Sequence, residues 1–218
     1  MIAGLDEAGR GPVLGPMVLC GVKFEKHILD ELKAAGVKDS KLLSPRRREA
    51  LSKLITEKAL GVEVVELSAA EIDESRLVKN VNLNELEAMG FAKIIDRLKP
   101  EIAYIDSTDP TPALFTERLQ RHLKTKPKLV VENFADKKYV VVGAASIVAK
   151  VRRDQRVAEL RERYGDLGSG YPADPKTIAF LEQWVQEHGK LPEFARRSWE
   201  TATRIEEKVK QKKLSQCL

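Results

Sequence analysis

Two neighbouring carboxylates stand near the start of the chain, directly before a glycine-flanked arginine. Asp6 and Glu7 follow a short apolar segment, and Gly9, Arg10 and Gly11 come next. Carboxylate oxygens are the ligands that hard divalent cations prefer. Glycine lets the backbone approach a phosphate or a sugar closely, and a guanidinium can pair with a phosphate. This combination predicts metal-assisted chemistry on a phosphodiester.

Two further acids occupy comparable positions, because Asp106 and Asp136 each follow a short apolar segment. Carboxylates gathered at the ends of neighbouring strands repel one another unless a cation neutralises them. Adjacent strand residues point to opposite faces, so Asp6 and Glu7 share a site only if their strand ends there. The alternative is that each acid is a turn or cap residue. The strand-end positions of all four acids favour a shared metal site.

The elements that must position these acids alternate along the chain. Apolar segments bounded by Pro and Gly predict strands over residues 1–5, 17–24, 61–67, 102–105 and 128–131. Ser44-Pro45 and the spacings Ser68/Glu71 and Asn82/Glu85 predict helix starts. Further helices are predicted over 140–163, from Asp174-Pro175 to about His188, and over about 194–213.

This pattern predicts a layered α/β sheet rather than a plain βαβ array. The first two strands are joined too tightly for a parallel crossover. We expect a mixed central sheet of about five strands flanked by helices, with a small C-terminal helical lobe. Residues 1–175 are predicted to form the catalytic domain, and 176–218 a helical extension and tail.

The bulk composition is compatible with a polyanionic partner. The chain has 218 residues, of which 43% are hydrophobic and 33% charged, with a formal net charge of +5. That positive excess suits a nucleic acid without proving one. The two cysteines have no zinc spacing, and Cys20 is predicted to be a core residue. With no signal sequence and no apolar segment of about 20 residues, we expect a soluble cytoplasmic protein.

Other residues could contact a nucleic acid. Ser146 and Lys150 share a helix face that could meet a phosphate backbone, although a solvated face is the alternative. Tyr171, on a glycine-rich loop, could stack on a base or sugar. Lys41 belongs to a polar Asp-Ser-Lys segment, whose alternative role is a capped loop. The arginine loop lacks the Lys-Ser/Thr ending of a phosphate-binding loop, which disfavours ATP binding.

Taken together, these motifs resemble the type 2 ribonuclease H (ribonuclease HII) family, particularly its archaeal members. The resemblance runs from Ile2 to about Trp199. It depends on the ordered motifs Gly4-Leu-Asp-Glu-Ala-Gly-Arg-Gly-Pro12, Asp39-Ser40-Lys41, Tyr104-Ile105-Asp106, Ala135-Asp136, Ala144-Ala-Ser-Ile-Val-Ala-Lys150 and Gly168-Ser-Gly-Tyr-Pro-Ala-Asp-Pro175.

The resemblance implies a ribonuclease H-like fold and a catalytic quartet of Asp6, Glu7, Asp106 and Asp136 that holds two Mg²⁺ or Mn²⁺ ions. It implies hydrolysis of RNA in RNA–DNA hybrids and incision 5′ of single ribonucleotides in duplex DNA, in DNA replication and repair. The products would carry 5′-phosphate and 3′-hydroxyl ends. The implied substrate-binding residues are Gly9, Arg10, Gly11, Lys41, Ser146, Lys150 and Tyr171, of which the glycine loop and Tyr171 would recognise the ribose 2′-hydroxyl.

The sequence departs from the family pattern in three places. Leu42 follows Lys41 where a second lysine is usual, and Asn133-Phe134 precedes Ala135-Asp136 where His-Lys is usual. The tail from Gln211 to Leu218 keeps the spacing of a sliding-clamp motif without its aromatics.

Two other hypotheses remain open: a non-catalytic nucleic-acid-binding protein on this fold, and another metal nuclease such as a junction resolvase. We expect a monomer.

Overall fold

The computed structural model describes the backbone of residues 1–37 and 43–216 and the side chains within those ranges as far as Gln211. Asp39, Ser40 and Lys41 therefore lie outside the described residues, as do Cys217 and Leu218. Within the described chain, no helix combines the length and apolar character needed to cross a membrane.

A mixed five-stranded sheet organises the fold. Its strands are β1 (Ile2–Ala8), β2 (Met17–Phe24), β3 (Gly61–Leu67), β4 (Ile102–Asp106) and β5 (Lys128–Glu132). They lie in the order β3-β2-β1-β4-β5. β1 pairs antiparallel with β2 and parallel with β4, and β4 pairs parallel with β5. The predicted fold class and the tight first hairpin are confirmed.

Helices fill the intervals between the strands. They are α1 (Ile28–Ala34), α2 (Pro45–Lys58), α3 (Ala69–Asp73) with a following π-helical turn (Glu74–Val78), α4 (Leu83–Leu98), α5 (Pro112–His122), α6 (Ala135–Lys138), α7 (Val140–Tyr164), α8 (Pro175–His188) and α9 (Glu200–Gln216). The predicted caps are confirmed, because the side chains of Ser44, Ser68 and Asn82 each accept a backbone N–H three residues on.

The predicted start of the last helix was wrong by six residues. α9 begins at Glu200, whereas the prediction placed its start at about Phe194. Residues 194–199 instead form a turn whose backbone bonds elsewhere: the Arg196 N–H donates to Val13 O, and Phe194 O accepts from the Gly15 N–H. These long-range bonds replace the ones a helix would make.

The chain forms two compact units, each assembled from three stretches of sequence. The first comprises residues 1–8, 18–66 and 82–153, and the second comprises 9–17, 67–81 and 154–218. The core of the first is built on β1, β2 and the N-terminal half of α7, with Val22, Phe24 and Ile147 fully buried. The core of the second includes Leu14 and Leu181. The domain boundary placed at residue 175 stays a prediction.

Gly4 allows α7 to pack directly on β1. A Cβ atom at this position would lie 2.1 Å from the carbonyl oxygen of Val141, which is backbone and cannot rotate away. We expect Gly4→Ala to lower the free energy of unfolding by about 3 kcal/mol, because overpacking forces the helix off the strand. Chemical denaturation would measure this loss.

Gly61→Ala is the matched control, since its Cβ would meet only the flexible end of the Leu98 side chain, at 3.1 Å. We expect a change below about 1 kcal/mol there. Equal stability of Gly4→Ala and the wild type would contradict the tight packing of α7 on β1.

Candidate active site

Three aspartates converge at one edge of the sheet. Leu5 on β1 lies beside Ile105 on β4, so Asp6 and Asp106 are the next residues on two neighbouring parallel strands. Asp136 lies in the first turn of α6, shortly after β5 ends. Each residue offers one carboxylate oxygen, and the three oxygens all lie within 4.8 Å of one another. We call Asp6, Asp106 and Asp136 the acid cluster.

Glu7 has a different position. β1 continues through Ala8, so Glu7 belongs to the face of the strand opposite to Asp6. Within residues 1–37 and 43–216, the group of close carboxylates consists of the acid cluster and does not include Glu7. The metal-binding role of Glu7 stays a prediction.

Backbone and side-chain donors hold the acid cluster in place. Asp6 Oδ1 accepts the N–H of Glu7 at 2.7 Å, and Asp106 Oδ1 accepts the N–H of Ala135 at 2.7 Å. The Ser146 side chain also hydrogen-bonds to the Asp6 carboxylate. Gly4 and Asp6 share one face of β1, the face that α7 covers, and this explains how Ser146 on α7 reaches Asp6.

The loops that follow β4 and β5 are tied together by Asn133, a residue that the sequence analysis treated only as a departure from the family pattern. Its side-chain amide donates to the carbonyls of Ser107 and Asp109, at 2.8 and 2.9 Å. The Ser107 N–H donates in turn to Glu132 O. Asn133 therefore fixes the loop after Asp106 against the loop that leads to Asp136. Its only signal in the sequence was a polar side chain shortly after a predicted strand.

The acid cluster is electrostatically unfavourable without a cation. Burial, the charge of Asp106 and, to a smaller extent, the charge of Asp136 raise the pKa of Asp6 from 3.8 to about 7, although Ser146 and the Glu7 N–H act in the opposite direction. Asp6 and Asp136 are only 4% and 5% exposed. Mutually repelling, buried carboxylates of this kind are suited to bind a divalent cation.

The raised pKa of Asp6 makes the stability of the fold depend on pH. Because this pKa is higher in the folded than in the unfolded chain, the folded state binds the proton more tightly. The stabilisation from protonated Asp6 is complete below about pH 4 and is lost as the pH rises to about 7, by up to about 1.4 kcal/mol for each pH unit. In EDTA, Asp6→Asn should therefore be more stable than the wild type at pH 8 and similar to it at pH 4.

Thermal unfolding of both proteins across this pH range would measure the difference. Adding Mg²⁺ at pH 8 should raise the Tm of the wild type and leave that of Asp6→Asn nearly unchanged. A difference in Tm that does not vary with pH would contradict the assigned electrostatics.

The remaining candidates of the first unit lie on α7. Ser146 is 6% exposed, and Lys150 is half-buried one turn further along the helix. Arg153, nearly one further turn along α7, is only 7% exposed. Lys41 lies outside the described residues. The phosphate contacts of these side chains stay predictions.

The second unit contains the glycine loop, residues 9–15, and Tyr171. Gly9 has a φ of +84°, which suits glycine and turns the chain sharply after β1. Gly170 O accepts the N–H groups of Val13 and Leu14, at 2.8 and 3.2 Å. A Cβ atom on Gly11 would lie 3.5 Å from the Tyr171 ring, and Tyr171 is 41% exposed. The structure thus brings together two segments that are 160 residues apart in sequence.

Arg196 holds the glycine loop, a role that no motif in the sequence predicted. Its guanidinium is fully buried and donates to the carbonyls of Gly9, Arg10 and Gly15, at 2.6, 2.9 and 3.0 Å. Trp199 packs against the core of the second unit and also donates its indole N–H to Gly11 O at 3.1 Å. The sequence around Arg196 is basic and predicts a helix. Nothing in that pattern distinguishes a buried arginine from an exposed one.

The chain belongs to the ribonuclease HII family, whose model matches residues 3–202. It is 46% identical to ribonuclease HII of Methanosarcina acetivorans, with 96% of this chain and 97% of the relative covered. It superposes on ribonuclease H2 from Pyrococcus horikoshii OT3 with a TM-score of 0.90 and 40% identity, covering 96% and 99% of the two chains. Its similarity to the ribonuclease HII in a PCNA:RNase HII complex from Archaeoglobus fulgidus gives a TM-score of 0.85 at 42% identity, covering 94% and 96%.

These similarities confirm the family predicted from the motifs. Enzymes of this family use divalent metal ions, and the acid cluster is a group of carboxylates that could bind one. The protein is an endoribonuclease of the ribonuclease H class and cleaves RNA in RNA–DNA hybrids. Its substrate is therefore a nucleic acid, in agreement with its net positive charge. The hypothesis of a non-catalytic binding protein on this fold is thereby disfavoured.

Proposed function

We propose that this enzyme also incises duplex DNA on the 5′ side of a single embedded ribonucleotide, by two-metal-ion catalysis that leaves 5′-phosphate and 3′-hydroxyl ends. The observation that carries the proposal is the acid cluster, with three carboxylate oxygens within 4.8 Å and a pKa of about 7 for Asp6. Such a group fits divalent cations, because their charge removes the repulsion. Asp6, Glu7, Asp106 and Asp136 would hold two Mg²⁺ or Mn²⁺ ions.

The chain's own residues prepare this site for catalysis. Divalent cations held by these carboxylates would supply activation of the attacking water and stabilisation of the leaving oxygen in an in-line displacement. Ser146 and the Glu7 N–H orient the Asp6 carboxylate, and the Ala135 N–H orients that of Asp106. Fixed carboxylates need no rearrangement when the substrate binds, which lowers the cost of reaching the transition state. Lys41, Ser146 and Lys150 would contact the phosphate backbone.

Selection of the ribonucleotide is assigned to Gly9, Arg10, Gly11 and Tyr171. The proximity of Gly11 to the Tyr171 ring supports this assignment, because an exposed aromatic then lies beside a backbone that a sugar can approach. The 2′-hydroxyl distinguishes RNA from DNA and can donate or accept a hydrogen bond. The backbone of the glycine loop and the Tyr171 ring lie close together and differ in chemistry. Together they can recognise the position of the 2′-hydroxyl and the sugar that carries it.

A duplex with one ribonucleotide tests the proposal. With Mg²⁺ or Mn²⁺ we expect cleavage at the 5′ side of that ribonucleotide, and with EDTA we expect none. Tyr171→Ala and Arg10→Ala should reduce the preference for this duplex over all-DNA duplex by about tenfold or more, the loss typical of one aromatic–nucleotide contact. The other metal-nuclease hypothesis predicts no such preference.

Tyr164→Phe is the matched control, because Tyr164 packs in an aromatic cluster with Trp184 and Phe194 in the same unit. Its rates should stay near those of the wild type. Absence of cleavage with either metal would exclude the proposed incision, and an unchanged preference in both loop variants would exclude their role in recognition.

We also propose that the segment from Gln211 to Leu218 contacts a sliding clamp. The support is its spacing, the exposure of Gln211, and the likeness to the ribonuclease HII of the PCNA:RNase HII complex. Co-elution of the full chain with a clamp, and its loss on truncation after Lys210, would be the expected result. Co-elution that survives the truncation would place the contact elsewhere. The monomeric state stays a prediction to be checked in the same experiment.

A further inference from the structure

Phe134 is an exposed aromatic residue next to the acid cluster, and the proposed function does not use it. Its side chain is 66% exposed, although a phenylalanine gains free energy by burial. It lies at the end of the loop that follows β5, and Ala135, the next residue, donates its N–H to Asp106. Asp136 is two residues away. The ring therefore lies directly before the helical turn that carries Asp136 and that bonds to Asp106 through Ala135.

The backbone at Phe134 is also unusual. Its φ of +59° and ψ of +34° lie in the left-handed region, which costs a residue with a Cβ about 1–2 kcal/mol. Glycine would occupy this position without that cost. A strained backbone that presents an exposed aromatic ring beside a catalytic site indicates a role in binding.

The chemistry around the ring suits a nucleotide. The ammonium of Lys137 lies 5.4 Å from the ring centroid and can neutralise a nearby phosphate. In a hybrid duplex the base faces are covered by their neighbours, whereas the wide and shallow minor groove displays the sugars. The accessible apolar partner for an aromatic ring is therefore the C–H face of a sugar.

We propose that the Phe134 ring packs on the sugar of a nucleotide next to the scissile phosphate and so positions the duplex over the acid cluster. Phe134 is a substrate-positioning residue in this role, and the inference depends on the acid cluster being the catalytic site. Phe134→Ala and Phe134→Leu should each raise the Kd for an RNA–DNA hybrid, measured in Ca²⁺, by about tenfold. Phe134→Trp should stay within about threefold of the wild type.

Stability and binding can be separated at this position. Phe134→Gly relieves the left-handed strain, so its Tm should rise by about 2–4 °C while its Kd rises as much as that of Phe134→Ala. Leu114→Ala is the matched control, because Leu114 is 46% exposed on α5 outside the acid cluster. Its Kd should be unchanged.

The contacted group can be identified with modified hybrids. An abasic tetrahydrofuran unit keeps the sugar, and a three-carbon spacer removes it. At the contacted position, the spacer should abolish the difference between the wild type and Phe134→Ala, and the abasic unit should preserve it. If the abasic unit also abolishes the difference, the ring contacts a base and the proposed sugar contact is wrong.

Two further outcomes would overturn the inference: Kd values for the Ala and Leu variants within twofold of the wild type, or a Trp variant as weak as Ala. Cleavage by the wild type and its loss in Asp106→Asn are measured alongside. If the wild type cleaves and Asp106→Asn does not, a failure at Phe134 affects this inference alone. If Asp106→Asn cleaves normally, the proposed site itself is wrong.

Discussion

Asp106→Asn should lower kcat on an RNA–DNA hybrid by about 10³-fold or more while the protein stays folded and binds its substrate. Asp106 ends β4, which lies in the sheet between β1, the strand of Asp6, and β5, the strand that precedes Asp136. Removal of a single group that stabilises transition-state charge commonly costs about 10²–10³ in rate. Here the charge that holds a cation is lost as well.

The affinity of Asp106→Asn for its substrate should not fall together with kcat. Loss of one negative charge reduces the repulsion between the site and the phosphate backbone, so the Kd in EDTA should stay equal or decrease. The charge of Asp106 raises the pKa of Asp6. Removing that charge should therefore lower the pKa of Asp6. Single-turnover kinetics with Mg²⁺ and fluorescence anisotropy in EDTA measure the two effects separately.

Glu132→Gln is the control for Asp106→Asn. Glu132 lies beside Asp106 in the β4–β5 register, but its carboxylate is already bound to Lys138 and Tyr139. We expect its kcat to stay within a few-fold of the wild type. Equal losses of kcat in both variants would show that catalysis depends on the overall negative charge at this sheet edge and not on the acid cluster in particular.

Arg196→Lys should disrupt the glycine loop although the positive charge is kept. A guanidinium presents several donors in a fixed plane, whereas one ammonium cannot satisfy the carbonyls of Gly9, Arg10 and Gly15 together. Loss of hydrogen bonds from a charged donor should cost about 2–4 kcal/mol of stability. Under the proposed function, the preference for a ribonucleotide-containing duplex over all-DNA duplex should fall by about tenfold or more.

Arg197→Lys is a close control for this variant. Arg197 is exposed, and its backbone N–H donates a hydrogen bond to Asp73 at 2.8 Å. We expect wild-type stability and preference there. If Arg196→Lys lowers the Tm but leaves the substrate preference intact at 25 °C, Arg196 stabilises the fold without positioning the loop for recognition.

The parts of the fold that local sequence determines could be predicted. Caps at Ser44, Ser68 and Asn82 act within one helical turn, and the first hairpin follows from a short connection, so both were visible in the sequence. The convergence of Asp6, Asp106 and Asp136 was also predictable, since each follows an apolar strand and parallel strands end at one edge.

Interactions between distant segments could not be predicted in the same way. Arg196 bonds to residues 181 to 187 positions earlier, and nothing in its immediate neighbourhood marks it as buried. The long-range backbone bonds of Phe194 and Arg196 likewise occupy the predicted start of α9, which begins at Glu200 instead. For Glu7 the pattern was ambiguous, because only the structure shows that β1 continues to Ala8.

The second unit is assembled from three stretches of sequence, and this determines the order in which a growing chain completes its functional groups. By Lys150 the chain already carries the acid cluster and Ser146, but the partners of the glycine loop, Gly170 and Arg196, are synthesised later. Contacts of such long sequence separation slow folding, because a large loop must close before they contribute. A growing chain therefore completes the groups proposed for hydrolysis before those proposed to select the ribonucleotide.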